Sequence, residues 1–522
     1  MGRSGGGPPR IGPTPLPPGG LSDGERRDAH RGFCFNSRVS DSLPLDREVP
    51  DQRSQACRRK HAGYPRGLPA ASVVIVFFNE NLSALLRSVH SVLNLSPPEL
   101  LDEVILVDDA SEVDGERFYE RHWDRLQGEL TEYCKQLPKT RLVRLKHRRG
   151  LMLARMEGVW RSKSPVTVFL DSHVEATAGW LEPLLARIAE DPRHVVVPSI
   201  DSIGYEDFHY TTGGGLGAMS FSWTLGQRGY PSDTGADGTE PAKSPVMCGG
   251  LFATDTGMFL RLGGYDPEMR LYGGEEMEIG FRTWMCGGDI EYVPCSHVGH
   301  VFRSAEYWQG QVYRVPGEEI ARNKLRTAEV WMDDYKQLVR FATSPLPKEV
   351  PMGDLEPRRR LREKLQCKDF NWFLKHAAPN TFVPKLYEGA EGGSMRHAAT
   401  DACMDTLGRT GRGDPMGAYP CHGLHGTQAI VMDGKGLVRL PETGYSSCIM
   451  ASSSEDDATP VIEECGGDAP FHWRWNGQIK HFVSHDGKCL QVQEKPADRS
   501  PFTLALVPCV DHDRSLEWDW YT

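Results

Sequence analysis

Pro165-Val166-Thr167-Val168-Phe169-Leu170-Asp171-Ser172-His173 is the stretch on which the fold turns. Val166 to Leu170 is a short, almost wholly apolar run that reads as a strand buried on both faces. It stops on Asp-x-His. If the chain stays extended past Leu170, residues 171 and 173 face one side, and the Asp171 carboxylate and the His173 imidazole meet at one spot, which is half a metal site. Open α/β sheets bind their ligands where strands end, so position and chemistry agree. Alone, the tripeptide is read equally well as a cap at Asp171 beside an ordinary loop histidine.

Outward from this strand the pattern alternates between apolar runs and helix-like stretches. ASVVIVF (71–77), DEVILVDD (102–109), TRLVRL (140–145) and PVTVFLD (165–171) are strands. SALLRSVHSVL (83–93), ERFYERHWDRLQGELTEYCKQL (116–137), LMLARMEGVWRS (151–162) and GWLEPLLARIAED (179–191) are the helices between and after them. Such β-α alternation implies a doubly wound, Rossmann-like α/β sheet, parallel and covered by helices on both faces. No GxGxxG opens the first helix and no GxxxxGK[ST] occurs, so neither a dinucleotide fingerprint nor a P-loop is supported. Asp108 and Asp109, where the second strand ends, can accept hydrogen bonds from a ribose or base, or can simply cap a turn.

The 522 residues exceed what one core sustains, so two or three domains are expected. With 39% hydrophobic and 25% charged residues the chain is neither disordered overall nor fibrous, and a net charge of -11 argues against a general nucleic-acid binder. The longest apolar run in a strand-like setting, Val73 to Phe78, is far short of the roughly 20 residues of a membrane helix. Residues 1–20 lack the apolar core of a signal peptide and read as a Gly/Pro-rich tail.

Three cysteine pairs, Cys403/Cys421, Cys448/Cys465 and Cys489/Cys509, each span about 20 residues and start some 40 to 45 residues apart, the mark of a repeat with one short disulfide per unit. Further upstream, Gly273-Gly274 precedes a helix opening with Glu275, Glu276 and Glu278, a common composition for a surface helix start. His297, His300 and Arg303 in IEYVPCSHVGHVFR form a second place from which imidazole could reach a metal and guanidinium a phosphate.

FFNE, ILVDDAS, RRGLMLAR, FLDSHVEATAGWLEPLL, SPVMCGGLFATD, GGYDPEM, YGGEEMEIGFRTWMCGG, PCSHVGHVFR and AEVWMDDYK, in this order, resemble the catalytic domain of the polypeptide N-acetylgalactosaminyltransferases, and the cysteine repeats resemble that family's ricin-type β-trefoil. The resemblance implies a GT-A catalytic domain followed by an all-β lectin domain. It implies a flexible, stem-like segment over 1–67, the catalytic domain over 68–345, a linker over 346–384 and the trefoil over 385–522. The implied activity is Mn²⁺-dependent, retaining transfer of GalNAc from UDP-GalNAc to Ser or Thr of polypeptide or glycopeptide acceptors in the Golgi lumen. Neither nucleic acid nor a membrane span is part of it, and with no signal peptide or anchor in this chain its natural N-terminus stays open.

Position by position, the resemblance puts Asp171, His173 and His300 on the metal, with Ser172 between them in the donor site. Asp109 falls on the nucleotide-contacting aspartate, Arg148 and Arg155 on the basic residues after the third strand, and Gly249 and Gly250 beside the sugar. Glu275 falls on the sugar-contacting glutamate, Arg303 faces the diphosphate, and Phe221 and Trp223 line the acceptor groove. One carboxylate and two imidazoles beside diphosphate oxygens suit Mn²⁺ better than an all-oxygen Mg²⁺ cage. The family pairs Cys57 with Cys295 and Cys286 with Cys367, which leaves Cys34, Cys134 and Cys248.

Two departures stand out. Tyr272 replaces a tryptophan before Gly-Gly-Glu, and HVFRSAEYWQGQ lacks the family's Pro-Tyr pair in the lid over the donor, where Tyr307 or Trp308 could substitute. An active transferase and a relative that has lost chemistry and binds UDP or glycopeptide therefore both stay open. In the trefoil, Asp405, Tyr419 and His422 of the first repeat match the family's GalNAc-binding positions, but Gln-x-Trp reads Gln428-Ala429-Ile430. The second and third repeats offer no aspartate after Cys448 and Cys489.

Overall fold

In the computed structural model the described residues are 13–17, 20–111, 124–247, 249–304, 307, 315–343, 346–385, 390–422, 426–453, 455–466, 472–495 and 500–521. Cys248 and Trp308 lie outside them. The chain divides into two compact units, Met1–Ser220 with Gln227–Asn323 and Gly353–Pro379, and Phe221–Gly226 with Lys324–Met352 and Asn380–Thr522.

The first unit is built on β1 (Ala71–Phe77), α1 (Leu82–Leu95), β2 (Leu101–Asp108), β3 (Thr140–Arg144), α2 (Leu151–Val159), β4 (Val166–Leu170), β5 (Val174–Ala176), α3 (Leu181–Glu190), β6 (His194–Ile203) and β7 (Tyr210–Leu216). A short ribbon of β8 (Met219–Phe221) and β9 (Gln227–Gly229) precedes β10 (Ala242–Lys243), β11 (Phe252–Asp255), α4 (Glu275–Met285) and β12 (Asp289–Val301). All residues of β1 and β4 are buried, as their apolar runs require. On α1, Leu82, Leu85, Leu86, Val89 and Val92 recur at helical spacing and are buried, and Asn81 caps the first turn by accepting from Ala84 N.

The main sheet runs β10-β12-β6-β11-β4-β1-β2-β3. It is parallel over β4, β1, β2 and β3, as the alternation predicts. The expectation of a parallel sheet does not extend further, because β11 lies antiparallel to both β4 and β6 and makes the sheet mixed. Past Leu170 the strand does not continue extended either. Asp171, Ser172 and His173 form a bend, and the chain re-enters the sheet as β5, which pairs with β12 so that His300 lies opposite Val174. That pairing delivers His300 to the Asp-x-His bend.

The Gly-Gly turn and its helix also differ from a surface reading. Every residue of α4 is buried, including Glu275, Glu276, Glu278 and Arg282. Gly273 and Gly274 adopt φ of 97° and 85°, which only glycine enters without strain. Glu278 is paired with Arg282 at 2.8 Å and with Arg358 at 2.5 Å, and it is this pairing that makes its burial tolerable.

Arg358 lies on α5 (Glu356–Lys364), inside the stretch expected as a linker. Phe370 and Phe373 meet Phe281 of α4 edge-on with ring centroids 5.0 and 4.9 Å apart, and Cys367 is bonded to Cys286. Residues 353–379 thus belong to the first unit. The stretch expected as flexible over 1–67 is likewise ordered from residue 20 on. It carries helices at Asp23–His30, Ser37–Ser42 and Gln55–His61, buries Phe33 and Phe35 against Phe208, Tyr210 and Val301, and is tied to β12 by Cys57–Cys295. Composition suggested a tail because the few apolar residues there are isolated in sequence.

The second unit is dominated by a twelve-stranded antiparallel sheet curled around Met395, Met404, Ile430, Val438, Ile449, Trp473, Leu490, Leu504 and Trp518. Disulfides join Cys403–Cys421, Cys448–Cys465 and Cys489–Cys509. The Trp473 indole donates to the carbonyl of Ile449 at 3.0 Å and that of Trp518 to Leu490 at 2.9 Å, the residue after the first cysteine in repeats two and three. The first repeat has Ile430 in the corresponding place and no such donor. Cys34 and Cys134 are buried free thiols.

Candidate donor site

At the C-terminal end of β4 the main chain turns and three side chains converge. Asp171 Oδ2 lies 3.3 Å from His300 Nε2, and the His173 and His300 rings are 4.8 Å apart. Val301 N donates to His173 O at 3.0 Å, which locks the bend to β12. Burial opposes ionisation of Asp171, but the hydrogen bond with His300 and the Arg155 charge outweigh it and hold the carboxyl well below the usual range. Burial pulls the His300 imidazole down, which favours the neutral state a metal ligand needs. His173 Nδ1 faces Glu80 Oε2 at 2.9 Å. An ionised carboxylate only accepts, so Nδ1 is the donor in this contact and Nε2 is the nitrogen turned away from Glu80.

One carboxylate and two imidazoles are donor types that suit Mn²⁺. The nitrogen that His300 turns toward Asp171 is Nε2, and its Nδ1 is buried with no hydrogen-bond partner among the described residues. Another cluster of ligand-type atoms, His194, Asp289 and Glu291, sits at the other ends of β6 and β12. There Lys243 binds Asp289 at 2.5 Å and Glu291 at 2.9 Å, and Arg187 binds Glu291 at 2.8 Å. Two cations already neutralise its two carboxylates, and little charge is left to draw an ion.

Arg155 braces the floor of the site. Buried at its core, it donates to Asp171 Oδ1, to the Gly250 carbonyl and to the Tyr265 hydroxyl, each at 3.1 Å. A Cβ at Gly250 would come within 1.9 Å of its guanidinium, so the backbone approach there requires glycine. Asp109 accepts from Arg149 N at 2.7 Å and Gly150 N at 2.8 Å, fixing the turn before α2. Burial raises its carboxyl despite those donors. Arg148 stacks over Phe78, 4.0 Å from the ring centroid.

Glu275 opens α4 just behind the Gly-Gly turn, and its Oε2 is buried with no hydrogen-bond partner among the described residues. Burial and the neighbouring Glu276 push its carboxyl up to about 8, with Arg155 opposing. Tyr272 precedes the turn and is 42% exposed. Arg303 reaches Glu80 Oε2 at 3.3 Å, and its Nε is buried with no partner among the described residues. Ser172 donates to the same Glu80 oxygen at 2.8 Å. His297, the other histidine of its segment, turns away and binds Asp201 at 3.0 Å.

Glu80 closes the FFNE block, but the sequence assigns it no role. Its contact with His173 spans 93 positions, and the only local signal is a carboxylate just past a fully apolar strand. Tyr307 stacks on His30 at 4.3 Å. In the second unit, Trp223 is buried, stacks on Tyr335 at 6.0 Å, meets Phe221 edge-on at 5.5 Å and donates from Nε1 to the Phe382 carbonyl at 2.8 Å. Asp405 accepts from Leu407 N at 2.7 Å and Gln428 Nε2 at 2.9 Å, with His422 Nε2 4.0 Å away and Tyr419 42% exposed.

Three family models match the chain: Glycosyl transferase family 2 over residues 72–261, N-terminal domain of galactosyltransferase over 238–305, and Ricin-type beta-trefoil lectin domain over 391–518. Polypeptide N-acetylgalactosaminyltransferase 13 of Homo sapiens is 38% identical over 486 residues, covering 84% of each chain. The Probable N-acetylgalactosaminyltransferase 9 of Caenorhabditis elegans is 37% identical, covering 94% of this chain and 82% of its own. A solved structure of GalNAc-T7 with UDP, GalNAc and Mn²⁺ superposes with a TM-score of 0.80 at 29% identity, over 100% of this chain and 93% of that one.

Proposed function

The chain belongs to the polypeptide N-acetylgalactosaminyltransferase family, and on that premise we propose that it transfers GalNAc from UDP-GalNAc to Ser or Thr hydroxyls of polypeptides, with retention of configuration. The observation that carries the reading is the convergence of Asp171, His173 and His300 beside the unpartnered buried atoms of Glu275 and Arg303. These three residues would hold Mn²⁺, which when bound supplies positive charge against the charge developing on the departing diphosphate.

The chain's own groups do the rest. Arg303 offers its guanidinium to the diphosphate, and Asp109 and Arg148 hold the nucleotide end. Glu275 receives the sugar, whose hydroxyls supply the partner its Oε2 lacks. Arg155 acts one step back, fixing Asp171 and the Gly249-Gly250 backbone against which the sugar lies. No carboxylate is assigned as a nucleophile, because an acceptor hydroxyl attacking on the leaving-group face needs none. Tyr272 is placed to screen the donor from water.

The catalytic region corresponds to the first unit, with residues 353–379 and the ordered stretch from residue 20 included, and the lectin region to about 385–522, with the Golgi lumen as the site of action. The first trefoil repeat binds GalNAc on glycopeptides through Asp405, Tyr419 and His422. A UDP-release assay with Mn²⁺ and a panel of Ser/Thr peptides tests the activity. UDP release that depends on both metal and peptide is expected; UDP binding without transfer to any peptide would leave a binding module instead.

A further inference from the structure

One buried carboxylate at the donor site has no role in the reading above. Glu80 is 2% exposed, and its Oε1 accepts from Asn81 N at 2.9 Å. Its Oε2 is approached by three donors, Ser172 Oγ at 2.8 Å, His173 Nδ1 at 2.9 Å and Arg303 Nη2 at 3.3 Å. A carboxylate oxygen has two lone pairs in its plane, so three donors over-subscribe it and the longest contact is the weakest. That contact belongs to Arg303, whose Nε is also buried without a partner among the described residues. The guanidinium is therefore the donor set to change partners when an anion arrives.

We propose that Glu80 couples the metal half of the donor site to the diphosphate half by sharing one oxygen between His173 and Arg303. The proposal rests on the donor-site reading given above. A nucleoside diphosphate that draws Arg303 onto its phosphate returns Oε2 to His173 and Ser172. The His173 Nδ1–H bond then strengthens, and its Nε2 becomes a better donor to the divalent ion. Linkage makes the effect reciprocal, so the bound ion raises diphosphate affinity by the same factor. Glu80 touches neither ion nor nucleotide and is a positioning residue.

The coupling is read by calorimetric titration of the full chain with Mn²⁺ in the absence and presence of saturating UDP, the ratio of the two Kd values being the coupling factor. Glu80→Gln should lower that factor about tenfold, leaving the share due to direct phosphate contact with the ion. Arg303→Ala should lower it comparably, and the double variant should fall no further than the lower single variant, as for two groups on one path. A factor within about twofold of wild type in Glu80→Gln overturns the proposal, as do single effects that multiply in the double variant. Equal weakening of Mn²⁺ with and without UDP also overturns it and leaves Glu80 a simple anchor for His173.

Should Glu80→Gln fail to fold, the metal-free Arg303→Ala protein labelled with ¹⁵N-histidine gives a second readout. The His173 Nδ1–H resonance should move downfield as Arg303 stops competing for Oε2, and an unchanged resonance refutes the sharing. Absence of any Mn²⁺–UDP linkage in the wild-type chain would instead defeat the donor-site reading itself, and that result is visible before any variant is made.

Discussion

The donor site and the first trefoil repeat are each built around an aspartate with a histidine nearby, half-buried Asp171 and buried Asp405, yet they treat their polar groups in opposite ways. Around Asp171, three buried atoms, Glu275 Oε2, His300 Nδ1 and Arg303 Nε, have no hydrogen-bond partner among the described residues. In the repeat, both Asp405 oxygens accept bonds from inside the repeat, from Leu407 N and Gln428 Nε2. An unmet buried polar group costs about 1–3 kcal/mol. Three near one strand end are tolerated where a polar ligand completes them, whereas both oxygens of Asp405 are met as folded. Substitutions at the first place should therefore act on ligand binding and chemistry, and substitutions in the scaffold or the repeat on stability or on an auxiliary contact.

The largest effect is expected at the proposed metal ligands. Asp171→Asn or His173→Ala should abolish Mn²⁺-dependent UDP binding and lower transfer by about 10³-fold. His297→Ala should stay within about threefold, since His297 is committed to Asp201. Equal loss at His297, or UDP binding that survives EDTA, would break the contrast.

Next comes the scaffold beneath the site. Glu278→Gln leaves Arg282 and Arg358 buried without their shared carboxylate and should cost about 3–5 kcal/mol at neutral pH. Burial opposes ionisation of Glu278, but the two guanidinium groups outweigh it and hold its carboxyl at about 2, below its unfolded value. The stabilisation is thus present above the unfolded pKa and is lost as pH falls toward about 2. Thermal unfolding at pH 7 and pH 3 should show the gap between wild type and variant narrowing at the lower pH, with the trefoil transition unmoved; a constant gap would count against the charged pairing.

These residues also mark what sequence could and could not yield. The Asp-x-His ending of β4 is legible because two-residue periodicity and strand ends are local properties, and the cysteine repeats are legible because their spacing is periodic. The family blocks carried His300 to the same site, although the bend at 171–173 and the β5–β12 pairing bring it there, not a continuing strand. Arg155 came with the family blocks and Glu80 closes FFNE, but the contact of Glu80 with His173, 93 positions away, and the bracing of Asp171 by Arg155, 16 positions away, are made between different elements and leave no local signal. Arg358 was read as linker, since four arginines and a lysine in nine residues look solvated until Glu278 is found buried beneath one of them. The acidic start of α4 misled for the same reason.

Smaller effects sharpen the comparison. Glu275→Gln should lower transfer about 10²-fold while UDP affinity stays within about threefold, because that carboxylate is assigned to the sugar. A parallel loss of UDP affinity would move Glu275 to the nucleotide. Asp405→Ala should remove GalNAc binding by the trefoil and leave transfer to short unglycosylated peptides within about twofold, measured by glycan titration and by initial rates. Trp518→Phe, which removes the buried bond to Leu490, should cost about 1 kcal/mol in denaturant unfolding of the trefoil and nothing in transfer.

The central claim is that the ion is held at the bend after β4. Crystals of the chain grown with Mn²⁺ and UDP, measured at the manganese absorption edge, test it most directly. The account predicts one anomalous peak within ligand distance of Asp171, His173 and His300, with Arg303 on the diphosphate. A peak at His194, Asp289 and Glu291, or density for UDP with no anomalous peak beside it, would contradict it.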